Sequence, residues 1–456
     1  MPNRSLWTNA GLHRLRARFI TKALGNRSRF RRAALAVIGT VVVPASMVGI
    51  PAAAQPATTD FYIPPSASDG TPAGTLIKSE PMSVGIAVGP AGTPLPFDAR
   101  RIMYWSTSPQ GDPIAVSGTF FKSNSPWPAG ADRPIVAISP GTMGQGEQCA
   151  PSRFIANVAD PGTPGIVVAQ YELRLAYELN QRGINAVMTD YQGLGVRTGT
   201  MHPYVNREAQ GAAVLDSVRA AQQLPDTGSS PRSAIGAWGY SQGGGAAAAA
   251  AEMASTYAPE IALKGTYAGA VPADLADTLG RIDGSVLSGA VGYALNGFGA
   301  VYPQLLPRIA EFTNDAGKRW LSNVAKQCLF QTAAEFGQHR TAEYTSTGEP
   351  LLTILARIPE AAQVLEENRL GSVVPTGTIW LDSATSDDIV PYAQAADLAA
   401  EWCEAGARIK FEPQHLPDVF PTSGVGHLIP QNFEFGQAQD WLAGLLAGSV
   451  DNGSCP

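Results

Sequence analysis

One serine in this 456-residue chain stands where its neighbours could make it reactive: Ser241, at the centre of Gly239-Tyr240-Ser241-Gln242-Gly243. This is the G-x-S-x-G pattern of a nucleophile elbow, and no other serine in the sequence fits it. A serine on a tight strand-to-helix turn leaves no room for side chains two residues to either side, which is why glycines stand there. The flanks agree with that geometry. Ala234-Ile235-Gly236-Ala237-Trp238 reads as a short buried strand, and the unbroken alanines 246–251 as a helix of high propensity. The plainer reading, a glycine-rich turn carrying an ordinary serine, gives no reason for strand before and helix after.

A serine hydroxyl becomes a nucleophile only when a base takes its proton and an acid orients that base. On such an elbow the three follow in the chain order Ser, acid, His. Of five histidines, His13 and His202 precede the serine, and His339 falls in a tract that reads as a helical insertion. His415 directly follows a strand and reads as a surface or structural residue. His427, in the glycine-flexed loop Ser423-Gly424-Val425-Gly426-His427-Leu428, is the candidate base. The acid belongs on the loop after Ile379-Trp380-Leu381. Asp382 is so close to that strand that it reads as a turn cap. Asp387 is the candidate acid, on a loop that Ile389-Val390-Pro391 would stiffen, with Asp388 as the alternative. An oxyanion hole needs two backbone donors. Gln242, the residue after the nucleophile, supplies one. Thr142, in the turn after the strand Ile135-Val136-Ala137-Ile138-Ser139, is the candidate for the other, with Met143 and Gly144 as alternatives.

The elements that must hold these residues alternate. A continuous apolar strand near 134–139 and further strand segments near 183–189 and 263–269 are interleaved with helical patterns at 171–181 and 208–224, which implies a parallel sheet covered on both faces. In the first of these helices, Leu173, Ala176, Tyr177 and Leu179 read as the buried side. Alternating segments between 86 and 121 read as antiparallel strands. Between about 273 and 372 the alternation gives way to helical patterns, then resumes at 376–381 and 408–411, with a closing helix near 433–446. The boundaries this suggests are an export signal over 1–54, an extended arm over 55–80, a first core segment over 81–272, a helical cap over 273–372 and a second core segment over 373–456.

With 45% hydrophobic and 15% charged residues, the chain can bury a large core. The first 54 residues hold nine of its 32 basic residues and no acid, leaving 23 basic against 38 acidic residues, a balance of −15, in the rest. An acidic body argues against nucleic acid as a partner. A basic patch at 27–32, an apolar run at 33–50 and the small residues Pro51-Ala52-Ala53-Ala54 have the form of an export signal cleaved near Ala54, with an uncleaved membrane anchor as the alternative. Secretion or residence in the cell envelope follows. Cys149, Cys328, Cys403 and Cys455 are an even set with no C-x-x-C pair, which favours two disulfides over a metal site. Spacing alone allows three pairings. No pattern calls for a metal or another cofactor.

These residues together resemble the secretory lipase family of fungi and actinobacteria, whose members have the α/β-hydrolase fold with a helical cap. The resemblance covers most of residues 60–450. It rests on Cys149-Ala150-Pro151-Ser152, Thr189-Asp190-Tyr191-Gln192-Gly193-Leu194-Gly195, Gly239-Tyr240-Ser241-Gln242-Gly243-Gly244, Asp387-Asp388-Ile389-Val390-Pro391 and Gly426-His427-Leu428, in that order. It implies Ser241 as nucleophile, Asp387 as acid and His427 as base. It also implies disulfides between Cys149 and Cys328 and between Cys403 and Cys455. Two departures bear on the oxyanion hole: Ser139-Pro140-Gly141-Thr142 stands where many relatives have His-Gly, and Gln242 where many have Gly. Neither removes a backbone donor. The expectation is a monomeric, exported esterase or lipase acting on an ester or lipid substrate, with transient contact to a lipid interface through the cap. Acyl transfer to an alcohol, peptide hydrolysis and non-catalytic lipid binding on the same scaffold are the alternatives.

Overall fold

The computed structural model describes residues 60–67, 70–86, 93–94, 97–127, 132–157 and 171–455. The expected export signal and the first residues of the arm lie outside them. Nine strands make the central sheet: β1 (Leu76–Met82), β2 (Asp98–Thr107), β3 (Pro113–Lys122), β4 (Ile135–Ser139), β5 (Asn185–Thr189), β6 (Ile235–Tyr240), β7 (Leu263–Gly269), β8 (Thr378–Ala384) and β9 (Arg408–Gln414). Their spatial order is β1-β2-β3-β5-β4-β6-β7-β8-β9. The first three pair antiparallel and β3 meets β5 antiparallel; every later pairing is parallel. β4, β5 and β6 are buried along their whole length, as strands of a parallel sheet covered on both faces are.

Helices cover both faces. One face is packed by α3 (Arg207–Ala221), α4 (Gln242–Tyr257) and α12 (Tyr392–Glu404) over Val187, Ala237, Ile379 and Ile409. The other carries α1 (Pro151–Asn157), α2 (Tyr171–Gln181) and α13 (Phe435–Leu446) over Met188, Trp238, Tyr267 and Trp380. Alanines 246–251 of α4 are all fully buried. Side chains this small let the helix lie against both the sheet and α3, and a larger residue there would overpack the contact by about 1–3 kcal/mol. In α2, Leu173, Leu175, Ala176 and Leu179 face inward. Tyr177, expected among them, is 41% exposed, because it lies beyond the buried arc centred near Glu172 and Ala176, where its ring meets Phe97 edge-on.

The chain between β7 and β8 is helical: α5 (Leu275–Ile282), α6 (Val291–Val301), α7 (Leu306–Phe312), α8 (Asp315–Val324), α9 (Leu329–Phe336), α10 (Leu351–Leu355) and α11 (Pro359–Glu367). These helices share their own apolar cluster around Tyr293, Trp320, Phe336 and Tyr344. Cys149–Cys328 joins the segment after β4 to the start of α9, and Cys403–Cys455 joins α12 to the C-terminal segment. No helix among the described residues is long and apolar enough to cross a membrane.

Candidate active site

Ser241 sits between β6 and α4 with φ 60° and ψ −125°, a left-handed conformation that a residue with a Cβ adopts only under constraint. The constraint is visible at the flanking glycines. A Cβ on Gly239 would run into the carbonyl of Gly243, and one on Gly243 into the carbonyl of Ser139. The turn is therefore as tight as the backbone allows. The N–H of Ser241 donates to Gly269 O at 2.9 Å, tying the elbow to β7.

The loop after β9 brings His427 to the serine. Ser241 Oγ lies 2.8 Å from His427 Nε2, and His427 Nδ1 lies 2.8 Å from Asp387 Oδ2. His427 and Asp387 are both buried. Asp387 Oδ1 accepts from the N–H of Ile389 (2.9 Å) and Val390 (2.8 Å), so its carboxylate is held on both sides. With Nδ1–H donating to Asp387, Nε2 is left with its lone pair toward the serine hydroxyl. A chain of this kind can take a proton from the serine as it attacks a carbonyl and return it to a leaving group.

Asp388 points elsewhere. Its Oδ2 accepts from Gly424 N–H at 2.8 Å and its Oδ1 from His427 N–H at 3.1 Å, so it fastens the backbone of the histidine loop rather than the imidazole. Asp382 does not cap a turn. β8 continues past it to Ala384, and it lies buried within the sheet, accepting from Tyr267 Oη (2.6 Å) and Gln414 Nε2 (2.7 Å). Burial pushes its carboxyl up to about 6. His415 is exposed, and His339 is exposed beside Glu343.

Thr142 and Gln242 line the same cavity as Ser241. Gln242 opens α4, so its N–H is one of those a helix start leaves without an internal acceptor. Among the described residues the N–H of Thr142 donates to nothing in the turn. Met143 and Gly144 remain alternatives for this position: Met143 O accepts from Leu329 N–H and Gly144 bridges to Cys328, contacts that tie the turn to α9 without engaging the N–H of either residue. Three residues that no sequence pattern singled out support the turn. Buried Glu172 accepts from Gly141 N–H at 3.0 Å, and its burial raises its carboxyl. Buried His202 faces the Gln242 side chain across 3.1 Å. Tyr204 Oη meets Thr142 Oγ1 at 2.8 Å. Asp190, in the stretch Thr189-Asp190-Tyr191, accepts from Ser117 and from the N–H and hydroxyl of Ser152, anchoring the start of α1 beside Cys149.

The cavity over Ser241 holds about 110 Å³ and is walled mainly by apolar residues of the helical segment, among them Leu279, Ile282, Leu295 and Phe298. A second apolar cavity of about 50 Å³ lies behind it, sharing Leu295, Phe298, Leu355 and Leu365 as a common wall. No cluster of side chains among the described residues has the make-up of a metal site.

The sequence model of the secretory lipases matches residues 163–452, well over half of the chain. The chain belongs to the secretory lipase family. It is 28% identical over 357 residues to a Mycobacterium tuberculosis protein named a probable inactive lipase, covering 78% of this chain and 76% of that protein. It is 24% identical over 377 residues to a secreted triacylglycerol lipase of Malassezia globosa, covering 82% and 78%. Among solved structures, Candida antarctica lipase A in its closed state superposes with a TM-score of 0.71 at 21% identity, over 86% of this chain and 87% of that one. The rice cell wall degrading esterase LipA of Xanthomonas oryzae superposes with a TM-score of 0.65 at 19% identity, over 81% and 98%. These structures share the α/β-hydrolase fold with this chain.

Proposed function

We propose that the protein is an exported serine hydrolase that cleaves lipid or other carboxylic esters through an acyl-enzyme on Ser241. The observation that carries this reading is the unbroken hydrogen-bond chain from Ser241 through His427 to Asp387 at the edge of an apolar cavity. Ser241 Oγ attacks the ester carbonyl while His427 Nε2 takes its proton, and the N–H groups of Thr142 and Gln242 hold the developing oxyanion. The proton then passes to the departing alkoxide, which leaves as the alcohol. Water, deprotonated by the same nitrogen, attacks the acyl-enzyme and frees the acid. An alcohol in place of water would give acyl transfer. Residues 273–372 act as the cap, their apolar wall receiving the acyl chain, and residues 81–272 and 373–456 form the catalytic core. Leu428 and Phe433 next to the histidine loop are 51% and 59% exposed and offer apolar surface for a lipid aggregate.

A second reading, lipid binding without turnover, is favoured by the relative whose name calls it probably inactive. The test is labelling with a fluorophosphonate probe beside hydrolysis of p-nitrophenyl esters from short to long acyl chains, with Ser241→Ala in parallel. Labelling and turnover that both vanish in the variant support the hydrolase. An unlabelled wild type that still binds fatty acid would establish the second reading.

A further inference from the structure

The oxyanion donors need support that the catalytic chain does not give, and one short segment, His202-Pro203-Tyr204, meets both of them. His202 is 1% exposed. Its Nδ1 lies 2.7 Å from the carbonyl of Gln192, so Nδ1–H donates there and Nε2 accepts from Gln242 Nε2–H at 3.1 Å. Burial lowers this imidazole to about 4, which keeps the Nε2 lone pair free at neutral pH. Two residues on, Tyr204 Oη is 2.8 Å from Thr142 Oγ1. Gln145 Nε2 then bridges the carbonyls of His202 (2.8 Å) and Tyr293 (3.1 Å), joining this segment to α6. Gly297 of α6 lies directly on it: a Cβ there would meet His202 O and Tyr204 N at 2.8 Å each.

We propose that His202 and Tyr204 are positioning residues for the oxyanion hole, His202 acting through Gln242 and Tyr204 through Thr142, and that α6 sets their place at Gly297. The inference rests on Ser241 being the nucleophile. Neither residue touches the reacting atoms. The imidazole pins the Gln242 side chain, and with it the peptide plane whose N–H faces the oxyanion. The phenol fixes the Thr142 side chain. Because the segment and α6 meet backbone to backbone, a shift of that helix moves both donors.

The experiment compares kcat, KM and melting temperature on p-nitrophenyl butyrate for the wild type, His202→Asn, His202→Gln, Gln242→Met and the double variant His202→Asn/Gln242→Met. Asparagine keeps a donor near the Nδ1 position and loses the acceptor; glutamine keeps an acceptor near the Nε2 position. His202→Asn should lower kcat about 10- to 100-fold with KM within about twofold, the signature of lost transition-state placement. His202→Gln should recover most of that loss. Gln242→Met should match His202→Asn, and the double variant should fall less than about threefold further, since the two act as one unit. A His202→Asn enzyme within about threefold of wild-type kcat overturns the proposal. So does a loss that glutamine does not restore and that tracks the melting temperature. If His202→Asn fails to fold, Gln242→Met decides alone by the same threefold criterion. A wild type that neither hydrolyses the ester nor labels at Ser241 defeats the functional reading itself, whereas an active wild type with unaffected variants defeats this one only.

Discussion

Replacing Asp387 by asparagine isolates one task of the carboxylate, the choice of imidazole tautomer. Oδ1 accepts from two backbone donors, the N–H groups of Ile389 and Val390, while Oδ2 accepts from His427 Nδ1–H. An asparagine can turn its oxygen to only one side. Two fixed backbone donors against one ring nitrogen decide which. Aiming the amide NH2 at Ile389 and Val390 would leave buried donors facing donors, at about 1–3 kcal/mol for each group left unsatisfied. The oxygen therefore stays with the backbone and the NH2 faces Nδ1. The imidazole then carries its proton on Nε2, where the lone pair for Ser241 should be. The same exchange in a serine protease triad costs about 10⁴ in kcat, or about 5.5 kcal/mol at 1.36 kcal/mol per decade. Asp387→Asn should accordingly lose about 10⁴ in kcat on p-nitrophenyl butyrate, with KM and the near-ultraviolet circular dichroism unchanged. Asp388→Asn should lose only about tenfold, because Asp388 holds the loop through the N–H groups of Gly424 and His427 and not the ring. An Asp387→Asn enzyme within tenfold of wild type, or a larger loss at Asp388, would refute the assignment of the acid.

Three further outcomes follow from other parts of the molecule. Burial raises Asp382 to about 6, above its ordinary value near 3.9, so the fold favours the protonated acid. The stability this contributes is complete below about pH 4 and is lost as the pH rises through 6. Asp382→Asn keeps both polar contacts once the Tyr267 hydroxyl turns to accept, and it should be more stable than wild type at pH 8 by about 3 kcal/mol and no more stable at pH 4. Identical melting curves at pH 8 would contradict this. Cys149–Cys328 spans 179 residues and Cys403–Cys455 spans 52, so loop entropy assigns them about 5 and about 4 kcal/mol. Serine replacements of either pair should lower the melting temperature to similar extents, but only loss of Cys149–Cys328, which adjoins the oxyanion turn, should also lower kcat per folded enzyme. Phe298 stands in the wall shared by the two apolar cavities; Phe298→Ala should merge them and move the best p-nitrophenyl ester to a longer chain, and an unchanged chain-length profile would count against an acyl site there.

The parts of this site legible in the sequence are those whose chemistry depends on residue type. Ser241 announces itself because its turn tolerates only glycines at its flanks. His427 and Asp387 follow from chain order on loops that end known strands. The sheet is legible for a similar reason: β4, β5 and β6 are buried on both faces, and their central residues read as apolar runs. What the sequence conceals depends on place instead. Nothing in Met201-His202-Pro203 marks the histidine as a neighbour of Gln242, because the two meet only where the chain after β5 folds back over the start of α4. Tyr177 has helical spacing suited to the core, yet the arc that packs is set by which side chains the sheet offers opposite it. Asp382 reads as a cap in the sequence because the end of β8 is not written in its residues; the strand runs on through Ser383 and Ala384 by pairing with β9. Spacing leaves three disulfide pairings open, and family resemblance implies the one the fold adopts. The division has a physical origin. A nucleophile, a base and an acid need particular atoms, which restrict residue identity, whereas the groups that hold them need only a donor or acceptor at the right point, which many residues could supply. Functional variation among relatives with an intact Ser-Asp-His set should therefore concentrate in the supporting layer around Gln145, Glu172, His202 and Tyr204.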